Sequence, residues 1–166
     1  MDVVTGVVVM KSISLVTKST KETKAFARRI GETAEEDLFI ALSGDLGAGK
    51  THFVQGLAEG LGVTGAVTSP TFNLMNLYEG RLALKHFDFY RLKSEEDLYN
   101  IGWDEYSAGG VTVAEWADLF PALIPAEALW MTINVLSDTS RKIDVAWMED
   151  APTYIIKEIT TYAHSH

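Results

Sequence analysis

Gly44-Asp45-Leu46-Gly47-Ala48-Gly49-Lys50-Thr51 is the stretch of sequence that decides the fold, because it matches the phosphate-binding loop pattern G-x-x-x-x-G-K-[ST] at every required position. Its glycines allow the backbone conformations in which several consecutive N–H groups converge on an anion. A helix that begins at such a loop adds its N-terminal dipole and its unpaired amides. In this pattern the lysine reaches the β- and γ-phosphates and the threonine hydroxyl holds Mg²⁺. The stretch therefore predicts a binding site for a nucleoside triphosphate.

The residues on either side of the loop have the patterns that such a site requires. Residues 38–42 form an uninterrupted apolar run, which is typical of a strand buried on both faces of a parallel sheet. After the loop, apolar residues recur at helical spacing until Gly60 and Gly62 end the segment. Strand, loop and helix in this order predict an α/β fold of the P-loop NTPase type, a three-layer sandwich with a mixed central sheet and flanking helices.

Length and composition limit the classes of protein that fit. The 166 residues are typical of one domain, and the net charge of −9 argues against the basic surface that direct nucleic-acid binding usually needs. The chain has no Cys, which excludes thiolate chemistry and suits a reducing compartment. The apolar residues 3–10 are too few to span a membrane. We therefore expect one cytoplasmic domain over residues 1–166, with residues 1–10 as an extension or edge strand and residues 160–166 as a loose tail.

The remaining elements are predicted from periodicity and capping signals. Ser19 and Glu22 have the spacing of a capping box, which predicts a helix over residues 20–33 after an edge-type strand at residues 12–16. Residues 72–78 and 82–87 flank a glycine-containing turn and predict an antiparallel hairpin. Further strands are predicted at residues 111–116, 129–136 and 143–147, and a closing helix at residues 154–159.

Two carboxylates are candidates to complete the phosphate site. Asp88 and Glu115 each end an apolar strand, where open α/β sheets place ligands and where phosphate-loop proteins hold Mg²⁺ or position water. A turn or capping role is the alternative for Asp88, and we expect His86 and Tyr90 to pack or hydrogen-bond around its carboxylate. Trp116 is expected to form a wall of the pocket, to contact a partner, or to pack at the edge of the core.

Three further residues each have two possible roles. Thr71 can reach the γ-phosphate or its Mg²⁺ in the manner of a switch loop, or can hydrogen-bond to turn amides. Thr20 can border a bound base, or can serve the start of its helix. Arg141 can reach a phosphate or stack on the base, or can be an exposed cation on a strand edge.

The phosphate loop, Ser69-Pro70-Thr71-Phe72, His86-Phe87-Asp88-Phe89-Tyr90-Arg91-Leu92 and Glu115-Trp116 together resemble the TsaE (YjeE) family of bacterial ATPases. The resemblance extends over residues 12–147. It implies a small Mg²⁺-dependent ATPase in the synthesis of threonylcarbamoyladenosine in tRNA, and the acidic charge of the chain indicates that any contact with tRNA is indirect. It also implies partners resembling TsaD and TsaB, whose complex would use ATP hydrolysis by this protein for repeated turnover.

The resemblance also implies roles for individual residues. Thr51 and Glu115 would hold Mg²⁺, with Asp88 in the second acidic position as a further candidate ligand. The charges of these residues also lead us to expect that Glu115, Asp88 and Lys50 are the catalytic residues. The residues implied to bind ATP are Leu46, Gly47, Ala48, Gly49, Lys50, Thr51, His52, Thr20, Arg141, Thr71 and Trp116. His52 stands where relatives commonly carry a hydroxyl residue, so its contact with the α-phosphate stays open.

Two alternatives to an ATPase of this family stay open. A small-molecule kinase uses the same loop, although five scattered arginines offer little material for the arginine-bearing lid of such enzymes. A nucleotide-sensing interaction module with little activity of its own also fits the sequence. A GTPase is disfavoured, because the Asn-Lys-x-Asp and Asp-x-x-Gly motifs of that class are absent.

Overall fold

The computed structural model describes residues 2–5, 8–45, 47–67, 75–100, 102–103 and 108–165. The strands of this part are β1 (Asp2–Thr5), β2 (Val8–Thr17), β3 (Leu38–Gly44), β4 (Met75–Tyr78), β5 (Leu84–Asp88), β6 (Val111–Glu115), β7 (Leu129–Val135) and β8 (Arg141–Trp147). The helices are α1 (Thr20–Thr33), α2 (Lys50–Gly60), α3 (Glu95–Asn100) and α4 (Thr153–Ser165). No helix within these ranges is long and apolar enough to cross a membrane.

The strands form an eight-stranded mixed sheet in the order β1-β2-β8-β7-β3-β6-β5-β4. The central strand β3 is parallel to both of its neighbours, β6 and β7, and β5 is parallel to β6. The remaining pairs are antiparallel, with β4 on one edge and β1 on the other. Residues 38–42 are buried in β3, as the uninterrupted apolar run predicts for a strand covered on both faces.

Helices and short turns cover the two faces of the sheet and make three layers. One face packs against α1, α2 and α4, whose large buried side chains include Phe26, Phe53 and Ile155. The other face carries a smaller core in which Trp103 lies between Phe87 and Phe89, with ring centroids 5.0 and 5.6 Å away. The predicted α/β sandwich with a mixed central sheet and flanking helices is therefore confirmed.

The helices α1 and α2 pack with their backbones almost in contact. A Cβ atom built on Gly56 would lie 2.4 Å from the carbonyl oxygen of Lys24, and one on Gly60 would lie 2.1 Å from that of Arg28. Neither position accepts a side chain unless a backbone shifts, because glycine alone permits so close an approach. This contact fixes the N-terminal end of α2 beside that of α1.

Most predicted elements are found where their patterns place them. The helix predicted over residues 20–33 is α1, and the predicted hairpin is the β4–β5 pair for the residues that the structure describes. The loose tail predicted from residue 160 is wrong for residues 160–165, which continue α4. Tyr162 extends the apolar stripe of Ile155 and Ile159, and its ring packs 5.2 Å from that of Phe26.

Candidate functional site

A cleft of about 450 Å³ opens at the carboxyl ends of the parallel strands, and its volume lies within the range of small-ligand sites. Ten of the thirteen residues predicted for the site line it: Thr20, Gly47, Gly49, Lys50, Thr51, His52, Asp88, Glu115, Trp116 and Arg141. Ala48 is buried beside the cleft. Leu46 and Thr71 lie outside the described residues. The fold therefore gathers ten of the predicted residues in one cleft, and their roles stay predictions.

The N-terminus of α2 is left open toward this cleft. Its N-cap residue, Gly49, has φ 107° and ψ 19° and makes no side-chain capping bond. This left-handed conformation favours glycine, which explains the residue at that position. The first turn has no acidic residue, and the first amides of a helix have no acceptor within it. The helix dipole and these amides make an anion the natural occupant.

The ammonium of Lys50 is held at the end of β6. Its Nζ lies 3.5 Å from Oε1 of Glu115 and 5.0 Å from the centroid of the Trp116 ring. The second contact has the geometry of a cation–π interaction. Lys50 therefore reaches across the cleft from the first turn of α2 to the strand that carries the predicted metal ligand.

Glu115 is the most enclosed carboxylate of the cleft, with only 6% of its surface exposed. Its Oε2 accepts a hydrogen bond from Nε2 of His86 at 2.5 Å. Burial opposes ionisation, but the hydrogen bond and charge of His86 and the charge of Lys50 outweigh it and hold the pKa of the Glu115 carboxyl below its ordinary value. Glu115 is therefore ionised at neutral pH, and its oxygens can accept hydrogen bonds from water or bind a cation.

Asp88 lies opposite Glu115 in the parallel pairing of β5 with β6. Its Oδ1 accepts a hydrogen bond from the backbone N–H of Tyr90 at 3.0 Å, which is the capping role considered as the alternative. His86 makes its hydrogen bond to Glu115 and not to this carboxylate, so only packing is left of the contact expected between His86 and Asp88. The ring of Tyr90 packs against Trp116 at a centroid distance of 5.1 Å. Asp88 thus both caps a turn and lines the cleft.

Trp116 follows Glu115 in a left-handed backbone conformation, with φ 60° and ψ 31°. This conformation is uncommon for a residue with a side chain, and it ends β6 abruptly. The indole is 37% exposed at the mouth of the cleft, between Lys50 and the ring of Tyr90. Trp116 therefore forms a wall of the cleft, one of its three predicted positions.

Arg141 braces the phosphate loop from the start of β8. Its Nε donates to the carbonyl oxygen of Ala48 at 2.8 Å, and Nη2 donates to that of Gly47 at 3.4 Å. Its Nη1 donates to the carbonyl oxygens of Ser137 and Ser140 at 2.8 and 3.0 Å. The guanidinium thus ties the loop to the β7–β8 turn while one side of it lines the cleft. The exposed edge cation considered as an alternative is not what the structure has.

Thr20 and His52 belong to the same side of the cleft as Arg141. A small recess there is lined by these three residues together with Thr23, Thr139 and the loop residues Ala48 and Gly49. Thr20 is the first residue of α1, while Ser19 provides the capping oxygen, so the side chain of Thr20 is not needed as the cap. Thr20 thus lies beside the phosphate loop, and its place at the border of a bound base stays a prediction.

Sequence reasoning missed two parts of this region. The contact between His86 and Glu115 joins two strands whose register no local pattern reveals. A second recess of about 200 Å³ shares Lys50 and Trp116 with the cleft and is otherwise lined by Ser43, Gly44, Asp45, Asp118, Thr132 and Asn134. In the sequence, this recess is indicated only by the polar residues at the end of β3 and by the acidic Asp118, two residues after Trp116.

The donor set of the cleft suits Mg²⁺ bound together with a phosphate ligand. No group of three or more His, Asp or Glu side chains that could hold a metal occurs among the described residues. Mg²⁺ is usually bound through one or two carboxylates, with water and substrate phosphates as the other ligands. The hydroxyl of Thr51 and the carboxylates of Glu115 and Asp88, gathered beside an uncapped helix, fit that mode of binding.

Comparisons with known proteins agree on one family. The model of the family described as threonylcarbamoyl adenosine biosynthesis protein TsaE matches residues 17–143. The tRNA threonylcarbamoyladenosine biosynthesis protein TsaE of Treponema pallidum is 43% identical over 132 residues, which cover 79% of this chain and 98% of that protein. The Bacillus subtilis protein of the same name is also 43% identical, over 81% of this chain and 85% of its own length. The crystal structure of Bacillus subtilis YdiB aligns with a TM-score of 0.77 and 32% identity, over 92% of this chain and 97% of that one.

Proposed function

The chain belongs to the TsaE family of threonylcarbamoyl adenosine biosynthesis proteins, and from this premise we propose that it binds and hydrolyses ATP with Mg²⁺ in support of tRNA threonylcarbamoyladenosine synthesis. The observation that carries the proposal is the convergence of an uncapped helix N-terminus, Lys50 and the ionised Glu115 on one cleft. The helix amides and the Lys50 ammonium can bind the phosphates of a nucleoside triphosphate, and the Glu115 carboxylate can bind its metal ion.

Lys50 and Glu115 change partners when the nucleotide binds. In the free protein the ammonium and the carboxylate neutralise each other across 3.5 Å. Phosphate oxygens at the N-terminus of α2 compete for the same ammonium, and Lys50 leaves Glu115 to bind them. This exchange releases the carboxylate at the moment when a cation needs a ligand. Nucleotide binding thus brings Lys50 to the phosphates and frees Glu115 for the cation in one step.

The remaining residues of the cleft hold and enclose the bound nucleotide. The Thr51 hydroxyl and the Glu115 carboxylate hold Mg²⁺, with Asp88 beside them in the second acidic position. Bound Mg²⁺ supplies neutralisation of charge on the β- and γ-phosphates. Glu115 also accepts a hydrogen bond from the attacking water, and Trp116 excludes bulk solvent from one side. Thr20, His52 and Arg141 border the base and the α-phosphate.

Partner proteins complete the activity in this proposal. The cleft is open to solvent and Trp116 and Tyr90 are 37% and 66% exposed at its mouth, so hydrolysis by the protein alone is expected to be slow. Partners resembling TsaD and TsaB stimulate it in the cytoplasm, and tRNA is contacted through them, in keeping with the net charge of −9.

The test is ATP hydrolysis measured for the protein alone and with TsaD-like and TsaB-like proteins. We expect stimulation by the partners, and Glu115→Gln should lower the stimulated rate by about 100-fold or more if its carboxylate positions water. Asp88→Asn is the matched control and should have the smaller effect, because Asp88 is already engaged with the Tyr90 amide. Phosphoryl transfer to a sugar or nucleoside would instead identify a kinase. Binding without stimulated hydrolysis would identify a nucleotide-sensing module.

A further inference from the structure

His86 is a buried polar side chain that the proposed function does not use. It is 1% exposed, and its Nε2 makes the 2.5 Å hydrogen bond to Oε2 of Glu115. Within the described residues its other nitrogen, Nδ1, is buried and has no hydrogen-bond partner. The bond to Glu115 is therefore the one hydrogen bond that orients the ring in the part of the chain that the structure describes. Because an ionised carboxylate only accepts hydrogen bonds, Nε2 carries the proton that joins the two groups.

The strand register explains why His86 reaches Glu115. In the parallel pairing of β5 with β6, Asp88 lies opposite Glu115 and His86 lies opposite Val113. His86 and Asp88 face the same side of the sheet as Glu115, since side chains alternate along a strand. The imidazole is one pleat closer to the core than Asp88 and contacts the carboxylate from below, on the side away from the mouth of the cleft.

The two oxygens of Glu115 have partners of different kinds. Oε1 faces Lys50, which is 13% exposed and is expected to leave for the phosphates, whereas Oε2 is bonded to a residue that is fixed in the core. After Lys50 leaves, a carboxylate without a second partner would be free to rotate about its side-chain bonds. A carboxylate bonded to His86 keeps one oxygen anchored and the other directed into the cleft.

We infer that His86 is a positioning residue, which holds the Glu115 carboxylate in the orientation that binds the cation once Lys50 has moved to the phosphates. The inference rests on the proposed function. It assigns to His86 no contact with nucleotide or metal. Partners of this kind orient metal-binding side chains, and their loss typically weakens metal binding by about 10- to 100-fold.

Two amide variants separate positioning from simple burial. His86→Gln places an N–H donor about as far from the backbone as Nε2, whereas His86→Asn buries the same amide but reaches only about as far as Nδ1. We measure ATP affinity by calorimetry in EDTA and in Mg²⁺. In His86→Asn the gain in ATP affinity that Mg²⁺ provides should fall by about tenfold or more, while the affinity in EDTA should be unchanged. In His86→Gln most of the wild-type gain should remain. In a Glu115→Gln background the two variants should not differ.

Each outcome bears on a different claim. If folded His86→Asn keeps the full Mg²⁺-dependent gain, or if His86→Gln loses as much as His86→Asn, the positioning role is overturned while the proposed function stands. If the wild-type protein has no Mg²⁺-dependent affinity for ATP, the proposed function fails and the inference fails with it.

A measurement on the ligand-free protein does not depend on folding of the His86 variants. In ¹H–¹⁵N spectra that detect imidazole nitrogens, the Nε2 resonance of His86 should shift when Glu115 is replaced by Gln. An unchanged resonance would mean that the contact is absent in solution, and the inference would be overturned.

Discussion

The helices α1 and α2 begin side by side, yet their N-termini are built in opposite ways. In α1 the Ser19 hydroxyl accepts a hydrogen bond from the Glu22 amide at 3.1 Å, and the Glu22 carboxylate accepts one from the Lys18 amide at 3.0 Å. In α2 the N-cap is Gly49, with no side-chain capping bond and no acid in the first turn. Thr20 and Lys50, the first residues of the two helices, line the same cleft.

The two helices show that the neighbouring side chains, and not the helix itself, decide whether a helix N-terminus is open to a ligand. Both helices have the same kind of unpaired amides and the same direction of dipole at their starts. In α1 the Ser19 hydroxyl accepts from one of these amides, and Glu22 places an acid in the first turn. In α2 no side chain caps the helix and no acid lies in the first turn, and Lys50 extends away to Glu115, 3.5 Å from its Nζ. This end is therefore left open for an anion.

Removal of the lysine at the open terminus is expected to have the largest effect. Lys50→Ala should weaken ATP binding by about 10- to 100-fold, since a hydrogen bond to a charged group contributes about 1.5–3 kcal/mol. Lys21, an exposed lysine in the first turn of α1, is the matched control, and Lys21→Ala should leave the affinity unchanged. Calorimetry measures both. Equal effects of the two substitutions would mean that the distinction between the helix ends is wrong.

Loss of the first-turn hydroxyl of α2 is the next test. Thr51→Val keeps the branched shape of the side chain and removes its hydroxyl. The Mg²⁺-dependent gain in ATP affinity should fall by about tenfold, while the affinity measured in EDTA should not change. Thr20→Val makes the same change at the start of α1 and should leave that gain intact. Titrations with and without Mg²⁺ distinguish the two, and a preserved gain in Thr51→Val would contradict the predicted metal role.

A smaller effect is expected from the brace behind the open terminus. Arg141→Lys keeps the charge but cannot bond to four carbonyl oxygens at once. The loop should lose order, and ATP affinity should fall by about fivefold, which corresponds to one net hydrogen bond of about 1 kcal/mol. The affinity and the thermal midpoint report this change together. A variant with wild-type affinity would show that the loop holds its shape without the brace.

The smallest functional effect is expected at the capped terminus. Ser19→Ala should lower the free energy of unfolding by about 1 kcal/mol, the usual contribution of an N-cap, without changing ATP affinity. Urea denaturation and calorimetry measure the two quantities. Weaker ATP binding in this variant would mean that the start of α1 does more for the ligand than line its cleft.

The sequence was sufficient for those parts of the molecule that are local in the chain. The phosphate loop, its strand and the capping box of α1 depend on neighbouring residues, so their patterns locate them directly. The partner of His86 is 29 residues away, and it is set by the register of β5 and β6. The position of Asp88 at a strand end indicates either a metal ligand or a turn cap, and in the fold its carboxylate both accepts from the Tyr90 amide and lines the cleft.

The close contact of α1 with α2 has a consequence for genetics. Gly56 and Gly60 lie outside the cleft, and an alanine at either looks conservative on paper. Since any Cβ there would force the two backbones apart, such an allele should separate the two helix starts that border the ligand. In a screen for loss of function, this allele would have the same phenotype as substitutions in the phosphate loop, although the substituted glycine does not line the cleft.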